Sequence, residues 1–309
     1  VLGEHAVQGV DYAYTIHGWI KAVNSNTLNA DRDIGKDGTS EKRLLTARDA
    51  FGFSLGFYTD NASTSTFDGD YKSIGTTSFE ASTAGSPLAD QSKNLYNGNI
   101  SHMVTAIGVF MESTAAPLAT SYRYDQLNRI KSVYTSTNIN LAGNSWNSGS
   151  LSGDYREKFS YDANGNIQTL VRHTADPTKH LMDSLVYHYQ GGTNQLTYVN
   201  DHANSAYYAD DVDDQSSGNY KYDKIGNLCK DKAEQIDTIL WNVYGKIKEI
   251  KRFDTASRAD LEFRYDASGQ RVFKIVKPSS FESDWKTTWY VRDAQGNVMA
   301  VYDKKTAME

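Results

Sequence analysis

Apolar and polar residues alternate with a period of two along most of the C-terminal two-thirds of this chain. Glu157-Lys158-Phe159-Ser160-Tyr161, Lys246-Ile247-Lys248-Glu249-Ile250, Leu261-Glu262-Phe263-Arg264-Tyr265 and Arg271-Val272-Phe273-Lys274-Ile275-Val276 show it most plainly. This period predicts β-strands with one buried and one wet face. A short phrase separates the strands: an aromatic, an aspartate, two variable residues, a glycine, one more residue and an aliphatic. It reads Tyr161-Asp162-Ala163-Asn164-Gly165-Asn166-Ile167 and Tyr222-Asp223-Lys224-Ile225-Gly226-Asn227-Leu228. With drift it recurs at Tyr124-Asp125 to Ile130, Trp241 to Ile247 with Gly245, Tyr265-Asp266 to Val272 with Gly269, and Arg292-Asp293 to Val298 with Gly296.

Each phrase predicts one hairpin corner. An aspartate opening a four-residue turn accepts hydrogen bonds from amides further along, and the glycine takes the positive φ that closes it. Asn128 stands in the glycine place of the first copy, and asparagine tolerates that conformation next best. Around Tyr189-Gln190-Gly191-Gly192-Thr193-Asn194-Gln195-Leu196 the aspartate is lost but a glycine pair and an aliphatic remain, which fits a degenerate copy. Self-similarity of this kind marks a repeat architecture. The expected fold is all-β, a curved antiparallel sheet of repeated β-hairpins with few short helices.

Residues 1–118 lack the phrase but carry strand-like pieces at Asp11–Ile20 and Phe51–Tyr58, with a short helix predicted at Ser40–Ala50, where Leu44, Leu45 and Ala47 share a face. Between Thr59 and Asn94 the Ser-, Thr-, Gly- and Asp-rich composition reads as long exposed connections. The chain starts at Val1 and ends on Asp303 to Glu309 without a closing element, which suggests a piece of a longer polypeptide.

Among the 309 residues are 21 tyrosines and a single cysteine, Cys229, which excludes internal disulfides and a cysteine-based zinc site. No apolar run approaches the roughly 20 residues a membrane-spanning helix needs. The net charge of -6, with acidic and basic residues interleaved, gives no basic stripe, so nucleic acid is not an expected partner.

Candidate chemistry is sparse. His173, His180, His188 and His202 show neither metal-ligand spacing nor a neighbouring nucleophile phrase and read as strand-face or loop residues. The acidic run Asp210-Asp211-Val212-Asp213-Asp214 reads as a solvated loop. Asp31-Arg32-Asp33-Ile34-Gly35-Lys36-Asp37-Gly38 suggests a calcium loop, but the fifth, sixth and twelfth positions hold Gly35, Lys36 and Lys42, so it reads as a solvated turn. Asp125, Asp162, Asp223, Asp266 and Asp293 recur once per hairpin, which argues for scaffold because an active site needs one constellation. No catalytic residue, cofactor or metal is expected. The structural turn set is Tyr124, Asp125, Tyr161, Asp162, Gly165, Tyr222, Asp223, Gly226, Gly245, Tyr265, Asp266, Gly269, Asp293 and Gly296.

The repeated Tyr-Asp-x-x-Gly-Asn-Ile units with Tyr-rich flanks resemble the YD repeats of the RHS (rearrangement hotspot) family over about residues 119–303. The N-terminal third resembles the segment preceding these repeats in Bacteroidetes-type RHS proteins, through Gly18-Trp19-Ile20, Ala47-Arg48-Asp49-Ala50-Phe51-Gly52-Phe53, Gly69-Asp70-Tyr71 and Leu95-Tyr96-Asn97-Gly98-Asn99-Ile100. The resemblance implies a pre-repeat segment at 1–118, YD repeats at 119–303 and a truncated tail at 304–309. It implies a ribbon of hairpins spiralling into a hollow shell that holds a C-terminal toxin domain of the same polypeptide and works with a delivery apparatus, secreted or at the cell surface. The region that closes and cleaves such shells has no match after Tyr302. An alternative is an extracellular carbohydrate-binding or adhesion module, with cell-surface glycans stacking on rings such as Trp146 and Trp285.

Overall fold

The computed structural model describes residues 9–28, 33–37, 46–47, 49–58, 94–108, 117–137, 139–140, 145–146, 152–208 and 211–305. The chain is all-β. Its first twelve strands are β1 (Tyr12–Tyr14), β2 (Ile20–Val23), β3 (Phe51–Gly56), β4 (His102–Ile107), β5 (Leu118–Tyr124), β6 (Ile130–Ser136), β7 (Ile139–Asn140), β8 (Ser145–Trp146), β9 (Ser152–Tyr161), β10 (Ile167–His173), β11 (Leu181–Tyr189) and β12 (Leu196–Asp201). All but the β7–β8 pair form a ten-stranded sheet in chain order. The eight-stranded second sheet, also in chain order, comprises β13 (Tyr220–Tyr222), β14 (Leu228–Asp231), β15 (Ile236–Trp241), β16 (Ile247–Arg252), β17 (Asp260–Tyr265), β18 (Arg271–Lys277), β19 (Lys286–Arg292) and β20 (Val298–Lys305). A 3-10 turn at Glu282–Asp284 interrupts the strands. Two compact units divide the chain: Val1–Asp162, Thr169–Ser184 and Ala203–Asp211 make the first, and Ala163–Gln168, Leu185–His202 and Val212–Glu309 the second.

Pairing explains why the phrase is seven residues long. Its first residue is the Cα partner of its seventh, or of the eighth in the degenerate copy: Tyr124 with Ile130, Tyr222 with Leu228, Trp241 with Ile247, Tyr265 with Arg271 and Tyr189 with Leu196. A register shift sits just before that pair in every one of these hairpins. The bulge seats a five-residue turn between strands that would otherwise take a two-residue one.

In the first unit the buried side of β3–β6 is lined by small residues. Ser54, Val104, Ala106, Ala119, Ser121 and Ser136 are all at most 4% exposed. Small side chains leave room for the segment after β2 to lie against the sheet. Asn24 Nδ2 donates to Phe51 O (2.9 Å), and Asn26 Nδ2 donates to Ser54 Oγ (2.9 Å). Residues of this type usually mark surface, and here they let backbone approach backbone with the polar groups paired. In the second unit β18 is half-buried at every position, and Ile239 is the one fully buried apolar residue on β13–β20 among the described residues. The expected division into a buried and a wet face is therefore weak on these strands. Side chains cover one another along each face instead, as where Phe273 meets Trp289 edge-on at 5.8 Å.

Several expectations change. The piece Asp11–Ile20 is not one strand but the hairpin β1–β2, broken at Thr15–Trp19. Residues 40–45 and 48 of the predicted helix lie outside the described residues, and Thr46 and Ala47 form a bend and an isolated bridge. Most of the connection at 59–94, Gly69 to Tyr71, and Asp31, Arg32, Gly38 and Asp210 also lie outside them. Asp33 and Asp37 are buried, 6% and 4% exposed, not on a solvated turn. The cause is tertiary: the segment leading into β1 packs on that loop, and the Asp37 carboxylate fills the space a side chain at Gly9 would need.

Candidate functional site

The recurrent site of this chain is the turn itself. In the copy at Asp223, Oδ1 accepts the amides of Ile225 and Asn227, both at 2.9 Å, while Oδ2 accepts Asn227 Nδ2. The Asp223 amide donates to Asn227 O, and the Gly226 amide donates back to Asp223 O. Asp125, Asp266 and Asp293 repeat the two-amide pattern through Oδ1, and Asn242 does the same through its single oxygen. The glycine place lies in the left-handed region, with φ 92° at Gly165, 93° at Gly226 and 62° at Asn128.

The turn carboxylates are thereby consumed as acceptors. The Arg129 amide, followed by the Arg129 side chain and the Leu127 amide, holds the Asp125 carboxyl below its ordinary range. At Asp293 the Asn297 side chain and amide do the same. At Asp223 desolvation is the largest single influence and pulls upward, but the bonds from Asn227, Ile225 and Gly226 together outweigh it and hold the carboxyl below its ordinary range. A carboxylate held ionised by two or three donors is a poor general acid or base.

The first residue of each phrase reaches backward. Tyr161 Oη donates to Ile130 O (2.6 Å), Tyr189 to Ile167 O (2.8 Å), Tyr222 to Leu196 O (3.0 Å) and Tyr265 to Ile247 O (2.8 Å). Trp241 Nε1 serves in the same way on Leu228 O (2.8 Å), and Arg292 Nε on Arg271 O (3.2 Å). In each case the acceptor is the carbonyl of the seventh residue of the preceding phrase, or of the eighth in the degenerate copy. Donor chemistry, more than aromaticity, is what this position selects. Asparagines link neighbouring turns as well: Asn97 and Asn99 both donate to Asn128 Oδ1, and Asn164 and Asn166 both donate to Asn194 Oδ1.

Two further copies lie in the N-terminal third, where the sequence shows no phrase. Thr15 takes the aspartate place: its amide donates to Trp19 O, the Gly18 amide donates to Thr15 O, and Thr15 Oγ1 accepts the Trp19 amide. Around Gly98, Ile100 O receives Tyr124 Oη at 3.0 Å. The readable signal was glycine two residues before isoleucine, in Gly18-Trp19-Ile20 and Gly98-Asn99-Ile100.

Among the other candidates, the histidines are dispersed, whereas the Asp211 carboxylate lies within 4.8 Å of that of Asp183. His188 stacks on Tyr198 at 4.2 Å, and His202 is exposed. His173 and His180 lie 4.8 Å apart, His180 faces Asp154 at 3.4 Å, and burial with nearby positive charge pushes the His173 imidazole down. No described histidine is hydrogen-bonded to a serine, threonine or cysteine side chain. Asp214 Oδ1 accepts Asn200 Nδ2 and the Asp201 amide, so this end of the acidic run anchors β12. Trp285 is half-buried, with Nε1 donating to Ser279 O and the Lys277 ammonium 4.6 Å above its ring. Of Trp146 only the backbone is described. Cys229 is half-buried, its thiol pushed up by burial. No described helix is long and apolar enough to cross a membrane.

Replacing Tyr161 by phenylalanine keeps the ring under the Arg129 guanidinium (4.5 Å) and removes the donor to Ile130 O. The expected loss is about 1 kcal/mol in urea unfolding; an unchanged midpoint would show that the hydroxyl contributes nothing.

No protein-family model matches this sequence, and no curated protein matches it. Among solved structures it is similar to TcdB2-TccC3-TEV, at 11% identity and a TM-score of 0.44 over 93% of this chain and 12% of that one. It is similar to TcdB2-TccC3-Cdc42 at 13% identity and 0.42, over 91% of this chain and 12% of that one. For the Photorhabdus luminescens Tc holotoxin pore the values are 11% and 0.21, over 80% and 16%.

Proposed function

We propose that this chain is a structural wall segment of an RHS-type shell that encloses a C-terminal toxin domain of the same parent polypeptide and serves its delivery from a secreted or cell-surface protein. On this reading it is not an enzyme, needs no cofactor, and divides into a pre-repeat segment (1–118), the repeats (119–303) and a tail. The observation that supports it is the backward hydrogen bond from each phrase to the carbonyl of the seventh or eighth residue of the phrase before. Such a contact joins nearest neighbours only, so hairpins can be added without redesign, as in other quasi-one-dimensional repeat proteins. The half-exposed second sheet, lacking a fully buried apolar face, suits a wall with space on one side. The turn residues are scaffold in this proposal, and the repeats would curve and spiral.

The test is intact mass and size-exclusion chromatography of the polypeptide extended past Glu309. A C-terminal piece that is cleaved yet co-elutes supports enclosure. An uncleaved chain whose C-terminal region is freely digested by protease sinks it. The alternative adhesion reading draws on the rings of Tyr244 and Tyr302, 80% and 61% exposed in the second unit. Saturable glycan binding lost on their substitution by alanine would favour that reading.

A further inference from the structure

The three most exposed large apolar side chains among the described residues stand at the crowns of two turns of the second sheet. Ile225 (85% exposed) crowns the turn from β13 to β14, and Val243 (93%) and Tyr244 (80%) crown the turn from β15 to β16. The turns are neighbours, since Trp241 opens the second and donates through Nε1 to Leu228 O at the end of the first. Two strand spacings, about 10 Å, separate them.

Turn chemistry does not call for apolar residues there. Asp223 Oδ1 takes the amides of Ile225 and Asn227, and Asn242 Oδ1 takes those of Tyr244 and Lys246, so polar atoms close the backbone and the crown side chains are left to solvent. The next two turns make the same hydrogen bonds with Ala267 and Ser268, and with Ala294 and Gln295, in the crown places. Charge sets the first two turns apart as well. Lys224 and Lys246 are exposed within them, and Lys221 and Lys248 are exposed on the flanking strands. Asp223 is the only acidic residue of either turn, and it is spent on its own backbone. None of the four lysines forms an ion pair among the described residues. Lys246 Cε would lie 3.9 Å from a Cβ at Gly269, which carries positive charge toward the next turn. In a chain of net charge -6 this edge is locally basic.

We propose that the crowns at Ile225 and Val243-Tyr244 dock this chain onto an anionic membrane. Three projecting side chains are too few for a stable protein interface, which takes roughly 800 Å² from each partner. They suit the headgroup region of a bilayer, where apolar and tyrosine side chains enter the interface while lysine stems lie along it and their ammonium groups meet anionic lipid. The acidic remainder of the chain is repelled by such a surface, which orients this edge toward it. The inference goes beyond the wall reading and does not depend on an enclosed domain.

The test is co-sedimentation of the full chain with vesicles of phosphatidylcholine alone and of phosphatidylcholine containing about one-third phosphatidylserine. Binding is expected on the anionic vesicles only, and most of it should be lost in about 1 M salt, where the screening length is about 3 Å. Serine at both crowns (Ile225→Ser with Tyr244→Ser) should weaken binding about ten-fold or more, and Lys224→Gln or Lys246→Gln about five-fold each. Thermal unfolding midpoints should stay unchanged in all of them, because the replaced side chains face solvent. Tyr302→Ser, on β20 and away from both crowns, should bind as the unsubstituted chain does. These vesicles carry no glycan, so the result is separate from the adhesion reading. No sedimentation with anionic vesicles, equal binding to both lipids, or undiminished binding by the crown variant would overturn the proposal. Dimerisation on size exclusion without lipid, abolished by the crown substitutions, would assign the crowns to a second copy of the chain and overturn it as well.

Discussion

Asparagine in place of His102 is expected to flatten the acid limb of this protein's stability curve. His102 opens β4 and pairs with Ser121 on β5. Its ring presses on the opposite strand so closely that a Cβ at Gly56 would meet Cε1 at 2.0 Å. Burial first, and then the Lys21 charge, lowers its pKa from 6.5 to about 3. The unfolded chain therefore takes up a proton near pH 6.5 that the folded chain refuses until about pH 3. Stability is full above pH 6.5 and falls as the pH drops through that window, by roughly 4 kcal/mol at the bottom. Asparagine is smaller and costs something at neutral pH, but it carries no proton. Urea unfolding from pH 7.5 to 4 should give converging curves for the two proteins; parallel curves would mean that the imidazole is not what acid attacks.

The hairpins were legible because a single physical rule generates them many times. Alternation at Lys246–Ile250, Leu261–Tyr265 and Arg271–Val276 places strands where β16, β17 and β18 lie, and an Asp-x-x-Gly phrase separates them. Legibility failed where a different residue supplies the same chemistry. Thr15 accepts the amide an aspartate would, and Arg292 donates to the carbonyl a tyrosine would. A phrase defined by residue names misses both, whereas one defined by an acceptor, a residue of positive φ and a backward donor includes both. The small polar core of the first unit was hidden for another reason. Ser54, Ser121 and Ser136 read as surface by composition, and only strand register brings them onto one covered face. The same blindness affected Asp33 and Asp37: an acidic, glycine-bearing stretch reads as solvated unless the segment that packs on it is known.

These misses share a consequence for function. The repeated turn spends its polar atoms on its own backbone and on the neighbouring hairpin, leaving little for chemistry on a substrate. The described polar atoms buried without a partner lie off the turn aspartates, as at Asp33, His102 and Asp183. Searches for activity or regulation in this chain therefore belong at those exceptions and not along the row of aspartates that first attracts the eye.

Removing the guanidinium of Arg172 should produce the largest loss of stability from a single side chain. Arg172, near the end of β10, places Nε 2.6 Å from Asp183 Oδ2 on β11, and the Asp183 side chain is fully buried while Arg172 is one-third exposed. Asp183 Oδ1 has no hydrogen-bond partner, so the guanidinium carries the neutralisation of this carboxylate. Arg172→Met preserves the apolar stem and deletes the charge. The expected cost is about 3 kcal/mol, because an ionised or freshly protonated carboxyl is left in a site that excludes water. Asp183→Leu alone removes the buried charge and leaves the one-third-exposed arginine to find solvent, so it should cost less. The double substitution should cost markedly less than the two single losses added, since an apolar pair of similar volume replaces the ion pair. Urea midpoints for the four proteins measure this coupling directly. Additive losses would show that Arg172 stabilises the sheet through its stem alone and that the buried carboxylate is satisfied by other means.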